Sequence, residues 1–363
     1  MPIREKSFRI GCGRYLQEPG ILQSLGAEVL RLGKAPLIVG GKTALSLTRG
    51  TIEESVGAVC SHYRVETHMG TCNEEDAGAF AEIAKVEGFD VIVGVGGGVI
   101  MDLAKMIAHF ASLPIINVPT SSATCAAYTP LSVMYTKEGR TVGSFHHERE
   151  IDAVLADTAV ISTQPPRLLL AGVFDAMAKY LEIRHRYRGD SADCPLGLDY
   201  AYTLSERSFG VLCDKTDACL SDMQNKVLSD AVEQVVFTTI ATTGVISGIA
   251  RGSNQCALAH KFYENTRVLW GESSRHYLHG EIVGVGLLLQ NYYNGEVERN
   301  TDLMALMQKY SMPYRVSDVG VERTEESLRQ YFNRIKGSSA VNEENRDECE
   351  RFERALRYFW DIE

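Results

Sequence analysis

Residues 90–105 read DVIVGVGGGVIMDLAK, and the organisation of the chain follows from how this stretch is interpreted. Asp90 to Val95 is a short run dominated by Val and Ile, the composition of a strand buried on both faces. It leads through Gly94 into Gly96, Gly97 and Gly98, and a helix is expected from Val99 to Ala111. Glycines between a buried strand and a helix let a ligand approach the backbone closely, and the free N–H groups of the helix start suit a phosphate. A tight turn needing positive φ is the plainer reading of one glycine pair. Three in succession at this junction favour a diphosphate site. The spacing is not G-x-G-x-x-G, because Val99 stands where the third glycine would fall, and no Gly-Lys-Ser/Thr follows to make a P-loop. Asp102 and Lys105, on the following helix, read by themselves as a solvated ion pair of little energetic consequence.

Working outward, the first half alternates strand-like and helix-like runs. Pro36 to Val39 (PLIV) ends at Gly40-Gly41 and precedes the helical TALSLTRG, and Ala58 to Thr67 contains a β-branched stretch. CNEEDAGAFAEIAKVEG reads as a helix capped by Asn73, with Glu74, Glu75 and Asp76 in the first turn, where the helix dipole favours them. Pro114 to Val118 is another strand, and it runs into the hydroxyl-rich PTSSAT at the carboxyl edge of the inferred sheet, where open α/β sheets bind ligands. Strands separated by helices of this length imply crossover connections and a mainly parallel sheet. Near Gln164-Pro165-Pro166 the pattern changes, and helical periodicity prevails beyond it. Ser229 to Ile249 and Glu281 to Tyr293 are long apolar helices, whereas Arg184 to Asp193 (RHRYRGDSAD) reads as an exposed helix end entering a loop. The expectation is a Rossmann-like α/β dinucleotide-binding domain over 1–163, then an all-α metal- and substrate-binding domain over 164–363, with a ligand cleft between them.

Composition narrows the function classes. The 363 residues are 45% hydrophobic and 23% charged, an ordinary globular balance that sets aside disordered and low-complexity classes. Lys plus Arg number 37 against 47 for Asp plus Glu, a formal charge of −10 that should not attract a phosphate backbone or an anionic bilayer. No nucleic-acid or membrane partner is therefore expected. The N-terminal MPIREKSFRIGCGRYLQ has no signal-peptide run, and no segment offers about 18 uninterrupted apolar residues for a membrane span. Nine scattered cysteines without a Cys-x-x-Cys pair do not form a disulfide framework, so a cytoplasmic protein with reduced thiols is expected.

Three segments of the helical half carry metal-type side chains: GVFDAMAKYLE with Asp175, CALAHKFYEN with His260, and RHYLHGEIVGVG with His276 and His279. A carboxylate and two imidazoles suit a divalent cation, zinc first and iron second, and three ligands would leave a position open for water or a substrate oxygen. A histidine beside apolar residues is more often a hydrogen-bonded core residue. His276 and His279, three apart, could share a helix face, with His276 as a supporting or proton-relay group.

Together these motifs resemble the iron-containing alcohol dehydrogenase superfamily, in its glycerol dehydrogenase-like branch. The resemblance rests on VGVGGGVIMDLAK, VPTSSATCAAYTPLSVMYT, GVFDAMAKYLE, ALAHKFYEN and YLHGE, which follow one another in register over most of the chain. It implies the fold shared with dehydroquinate synthases, an NAD or NADP cofactor and one divalent metal. Carried over residue by residue, Gly96, Gly97 and Gly98 would hold the cofactor diphosphate, with Val99 and Asp102 nearby. Thr120, Ser121, Ser122 and Ala123 would line the cofactor, and Thr129, Leu131 and Tyr135 would sit on its nicotinamide side. Asp175, His260 and His279 match the family's metal ligands.

Departures from the family pattern carry information. Iron-dependent members usually have a further histidine four residues after the aspartate, where this chain has Lys179, so a three-ligand zinc site is favoured. Glycerol dehydrogenases usually place Asp where Cys125 stands, and the uncharged thiol resembles members that reduce 2-oxo acids. Cys125 reads as pocket wall rather than nucleophile. After the early strand the chain has Gly40, Gly41 and Lys42 rather than the Asp common in NAD-selective members, which admits the 2′-phosphate of NADP. The implied activity is a metal-dependent NAD(P)-linked oxidoreductase that interconverts a small alcohol, a polyol or 2-hydroxy acid, and its carbonyl. The metal would polarise the substrate oxygen during hydride transfer. The alternative is a dehydroquinate synthase-like cyclase, which would carry Glu in place of Asp175. Apolar helix faces in the second domain could be core or the interface of a homo-oligomer.

Overall fold

The computed structural model describes residues 10–187, 195–250 and 252–362. Residues 188–193, the first nine residues and Cys194 lie outside them, and of the stretch Arg184 to Asp193 expected as an exposed helix end, the described part is not exposed: His185 is buried against the Ala340 carbonyl. The strands are β1 (Tyr15–Glu18), β2 (Pro36–Gly41), β3 (Arg64–His68), β4 (Val91–Gly96), β5 (Ile115–Pro119), β6 (Leu131–Tyr135), β7 (Thr141–His146) and β8 (Ala153–Asp157). Through this half run helices α1 (Leu25–Leu32), α2 (Lys42–Gly57), α3 (Glu74–Glu87), α4 (Gly98–Ala111) and α5 (Thr158–Ile161). Beyond them all described elements are helical: α6 (Pro166–Arg186), α7 (Leu196–Gln224), α8 (Asp230–Phe237), α9 (Thr243–Ala250), α10 (Leu258–Leu269), α11 (Gly271–Ser274), α12 (His279–Asn294), α13 (Arg299–Lys309), α14 (Glu325–Lys336) and α15 (Arg346–Trp360). The expected order, α/β then all-α, is the one observed.

Six strands form one parallel sheet in the order β1-β8-β5-β4-β2-β3, and β6 and β7 make a separate antiparallel hairpin. From β2 the chain moves outward to β3, then returns to lay β4 on the other side of β2 and continues to β5. The carboxyl ends of β2 and β4 thus flank the point where strand order reverses, the place where open α/β sheets leave a crevice for a ligand. Gly40-Gly41 and Gly96-Gly97-Gly98 stand there. β2 and β4 are buried along nearly their whole length, as their continuous apolar runs require. Leu25, Val29, Ile52 and Val56 pack on this sheet's Ile38, Val93 and Val95. The Asn73 side chain caps α3 by accepting from the Asp76 N–H, as its sequence implies.

Two compact units emerge: residues up to Leu169 with Cys213–Gly248, and Leu170–Leu212 with Ile249–Glu363. The sequence division at 163/164 follows a change of periodicity, whereas these units follow packing, which groups 213–248 with the sheet. The long helix read over Ser229 to Ile249 appears as α8 and α9 joined through a π turn at Thr238–Thr242. Residues 230–250 would be long and apolar enough to cross a membrane, yet most of that stretch is buried inside the fold, the burial expected of a core helix.

In the second unit, α12 is brought close to its neighbours by glycines. A Cβ on Gly280 would lie 1.8 Å from the carbonyl oxygen of Ala171 on α6, and one on Gly286 would lie 2.8 Å from the backbone of Ala259 on α10. These contacts sit beside His279, Asp175 and His260 in sequence. Helix backbones can approach this closely only where no side chain intervenes.

Candidate cofactor loop and metal centre

In the first unit, β4 ends at Gly96 and α4 begins with Gly97 as its N-cap, which no side chain caps. The first turn of a 14-residue helix therefore presents backbone N–H groups beside glycines. The loop after β5 lies against it: Thr120 donates its N–H to the Gly96 carbonyl at 3.0 Å. A Cβ on Gly97 would meet the Ser121 hydroxyl at 3.4 Å, and one on Gly98 the Thr124 hydroxyl at 3.2 Å. The two segments singled out in the sequence are thus neighbours, with a cradle that side chains would fill. Val99 is exposed at the helix start, and Lys42 is the exposed first residue of α2.

Ser122 is buried and committed to the protein: its N–H donates to Gln164 Oε1 and its hydroxyl accepts from Gln164 Nε2, both at 3.0 Å. Thr120, Ser121, Ala123, Cys125, Thr129, Leu131 and Tyr135 are half-buried. The Cys125 carbonyl accepts the Tyr128 and Thr129 N–H groups, so a turn fixes the thiol-bearing residue.

Asp102 and Lys105 are not the solvated pair expected. They lie 2.8 Å apart with 7% and 2% exposure, because α4 is buried on nearly all sides. The Lys105 ammonium also donates to the carbonyls of Ala126, Thr129 and Leu131. Asp102 accepts the Val133 N–H, and its backbone carbonyl accepts the Ser132 hydroxyl. The pair therefore fastens the segment leading into β6 onto the helix that starts at the glycine loop. Sequence reading missed this role of Lys105, although the Asp-x-x-Lys spacing on one helix face was its signal.

In the second unit, α6 supplies Asp175, α10 supplies His260 and α12 supplies His279. Their donor atoms lie within 4.8 Å of one another. Asp175 Oδ1 stands 3.5 Å from His260 Nε2 and 3.3 Å from His279 Nε2. It is buried without a hydrogen-bond partner. Zinc ligand distances of about 2.0–2.2 Å set tetrahedral donor–donor edges of roughly 3.3–3.6 Å, so the separations and the orphaned oxygen fit a divalent cation. His279 begins α12, and the Leu278 N–H donates to Glu281 to fix that start. The His279 side chain keeps 30% exposure, which leaves one approach to the cluster open.

Burial by itself would raise the Asp175 carboxyl. The facing charge of His279, the nearby His260 imidazole and the charge of Lys179 outweigh it and hold Asp175 well below the usual carboxylate range. His260 moves the other way. Burial disfavours its cation, but Cys256, Glu182 and Asp175 raise it well above the ordinary imidazole value. The anionic field that draws a proton here would also draw a metal cation. His276 is not part of this arrangement. It sits exposed in the turn before α12, accepting from Arg275 Nε at 3.2 Å, and the helix starts too late for it to share a face with His279.

Glu182, Cys256 and His260 form a second group of close donors. Glu182 Oε2 and His260 Nδ1 are only 2.5 Å apart, however, a hydrogen-bond separation too short for two ligands of one cation. The sequence reading quoted Glu182 within its motif without singling it out. The signal available was its position seven residues after Asp175, on the same helix face.

A profile of the iron-containing alcohol dehydrogenase family matches residues 12–158. The chain is 30% identical over 332 residues to hydroxycarboxylate dehydrogenase A of Escherichia coli (strain K12), covering 89% of this chain and 88% of that protein. It is 28% identical over 315 residues to a glycerol dehydrogenase of Pseudomonas putida, covering 85% and 84%. Among solved structures, a probable glycerol dehydrogenase from Sinorhizobium meliloti 1021 superposes with a TM-score of 0.79 at 23% identity, covering 98% of each chain, a likeness of fold.

Proposed function

This chain belongs to the iron-containing alcohol dehydrogenase family, in its glycerol dehydrogenase-like branch, and we propose on that premise that it is a metal-dependent, NAD(P)-linked oxidoreductase of a small alcohol and its carbonyl. The observation that carries the reading is the Asp175–His260–His279 cluster, with its orphaned carboxylate oxygen and its carboxylate–imidazole separations of 3.3 and 3.5 Å. When bound, a divalent cation supplies Lewis-acid polarisation of a substrate oxygen and the nicotinamide supplies or accepts the hydride. The chain's own residues do the rest. Asp175, His260 and His279 would hold the cation, and Gly96, Gly97 and Gly98 with the start of α4 would receive the diphosphate. Thr120, Ser121 and Ala123 would border it, while Asp102 and Lys105 hold Thr129 and Leu131 in place.

Three finer assignments accompany this reading. Zinc rather than iron is supported by Lys179, which stands where iron-dependent members place a fourth, nitrogen ligand. A 2-hydroxy acid and 2-oxo acid pair is supported by the uncharged Cys125 and by the name of the E. coli relative. NADP is admitted by Lys42 at the start of α2, with no carboxylate at the end of β2. A cytoplasmic site of action accords with eight free cysteines among the described residues. The cyclase alternative draws nothing from the donor set, which carries Asp175 where that reading requires Glu.

Purified, metal-replete protein should oxidise NADH or NADPH in the presence of 2-oxobutyrate, dihydroxyacetone or simple aldehydes, with 2-oxobutyrate turned over faster than dihydroxyacetone. Chelator should abolish the rate and zinc should restore it. No turnover with either cofactor across this panel would overturn the oxidoreductase reading.

A further inference from the structure

Glu182 is fully buried, two helical turns after Asp175 on α6, and its carboxylate is directed wholly at the start of α10. Oε1 accepts the N–H groups of Ala257 at 2.7 Å and His260 at 2.9 Å. Oε2 meets His260 Nδ1 at 2.5 Å. A neutral imidazole carries one N–H, and an acceptor-only carboxylate at Nδ1 fixes that proton there. When a cation takes the place of the second proton, the lone pair is therefore on Nε2, the atom that faces Asp175 Oδ1 at 3.5 Å. The two backbone bonds add a second constraint, because they pin the turn from which His260 projects.

From this geometry we infer that Glu182 is the positioning residue of the metal centre: it sets the tautomer and orientation of His260 so that Nε2 is offered together with Asp175 and His279. The inference rests on the metal reading of that cluster. One helix thereby supplies both a ligand, Asp175, and the group that prepares a ligand on another helix, which gives a fully buried carboxylate a role at this position. Supporting partners of this kind typically change metal affinity by about 10–100-fold when removed.

Glu182→Gln separates this role from simple capping. Its amide oxygen can still accept the two backbone N–H groups, but its NH₂ faces Nδ1 as a donor. The imidazole proton is then forced onto Nε2, which cannot ligate while protonated. Zinc affinity, measured by competition with a chromophoric chelator on protein shown to be folded by circular dichroism, should fall about 10–100-fold. Zinc affinity within threefold of the parent would overturn the proposal. Nitrogen NMR of zinc-loaded parent protein gives a second readout that needs no variant. His260 should carry its proton on Nδ1 and its metal on Nε2, and the reverse assignment would also overturn the proposal. Asp175→Asn keeps the two failures apart. If it binds zinc as well as the parent, the metal reading itself falls, whereas loss in Asp175→Asn with retention in Glu182→Gln rejects only the role of Glu182.

Discussion

At the residue scale, Asp102 shows how burial converts an ordinary surface pair into a constraint. Burial pushes its carboxyl above the usual carboxylate range, against the opposing pull of Lys105 and the Val133 N–H. A folded-state value above the unfolded one means that the folded chain holds the proton more tightly. The stabilising contribution is therefore full below about pH 4 and is lost as pH rises through the raised value. Asp102→Asn lacks that titration, so its stability relative to the parent should improve steadily from pH 4 upward until the raised value is passed. Denaturant midpoints of both proteins across pH 4 to 7 check this, and a constant difference over the range would show that Asp102 titrates normally. The sequence showed the Asp-x-x-Lys spacing but not the burial, because the hairpin that covers the pair begins only at Leu131.

At the element scale, the glycines of α12 decide how closely it can meet the helices that carry Asp175 and His260. Gly280→Ala would drive a methyl into the Ala171 carbonyl, where the obstructing atom is backbone and cannot rotate away. The expected cost is at least about 1–3 kcal/mol, with a loss of zinc affinity because His279 is the adjacent residue. Gly210→Ala on α7 is the matched control. Nothing lies within 4 Å of its Cβ, so reduced chain entropy should stabilise the fold by about 0.4–1 kcal/mol. Thermal unfolding and zinc titration of both variants test the contrast. A Gly280→Ala protein as stable and as tight for zinc as the parent would show that α12 can move without consequence. Periodicity in the sequence marked α12 as an apolar helix. It could not show which glycines face another backbone.

At the scale of the whole molecule, a metal held by residues from α6, α10 and α12 would couple its binding to the stability of the fold. Free zinc at 100 times its dissociation constant should stabilise the protein by about 2.7 kcal/mol, and chelator should remove that increment. The shift should vanish in His279→Ala. A melting temperature indifferent to zinc and chelator in the parent would argue that these helices do not share a cation. The glycine loop lies in the other compact unit, so whichever of NADH and NADPH stabilises the parent should stabilise the His279→Ala protein equally, and that melting shift separates damage to the metal centre from general unfolding.

The strand–glycine–helix unit over 90–105, the turn from α/β to all-α organisation and the types of residue in the candidate site were all legible in the sequence. Each is a local property: strand and helix periods, glycine runs and motif spacing report backbone preference and the side of an element that faces inward. The resemblance to a family then joined Asp175, His260 and His279, which no periodicity connects. Tertiary structure alone decided that Glu182 grips His260 from 78 positions away, that Lys105 is buried and that His276 lies outside the cluster. Those facts depend on how closely helices pack and where each one begins, and such distances arise only when distant parts of the chain exclude water from one another.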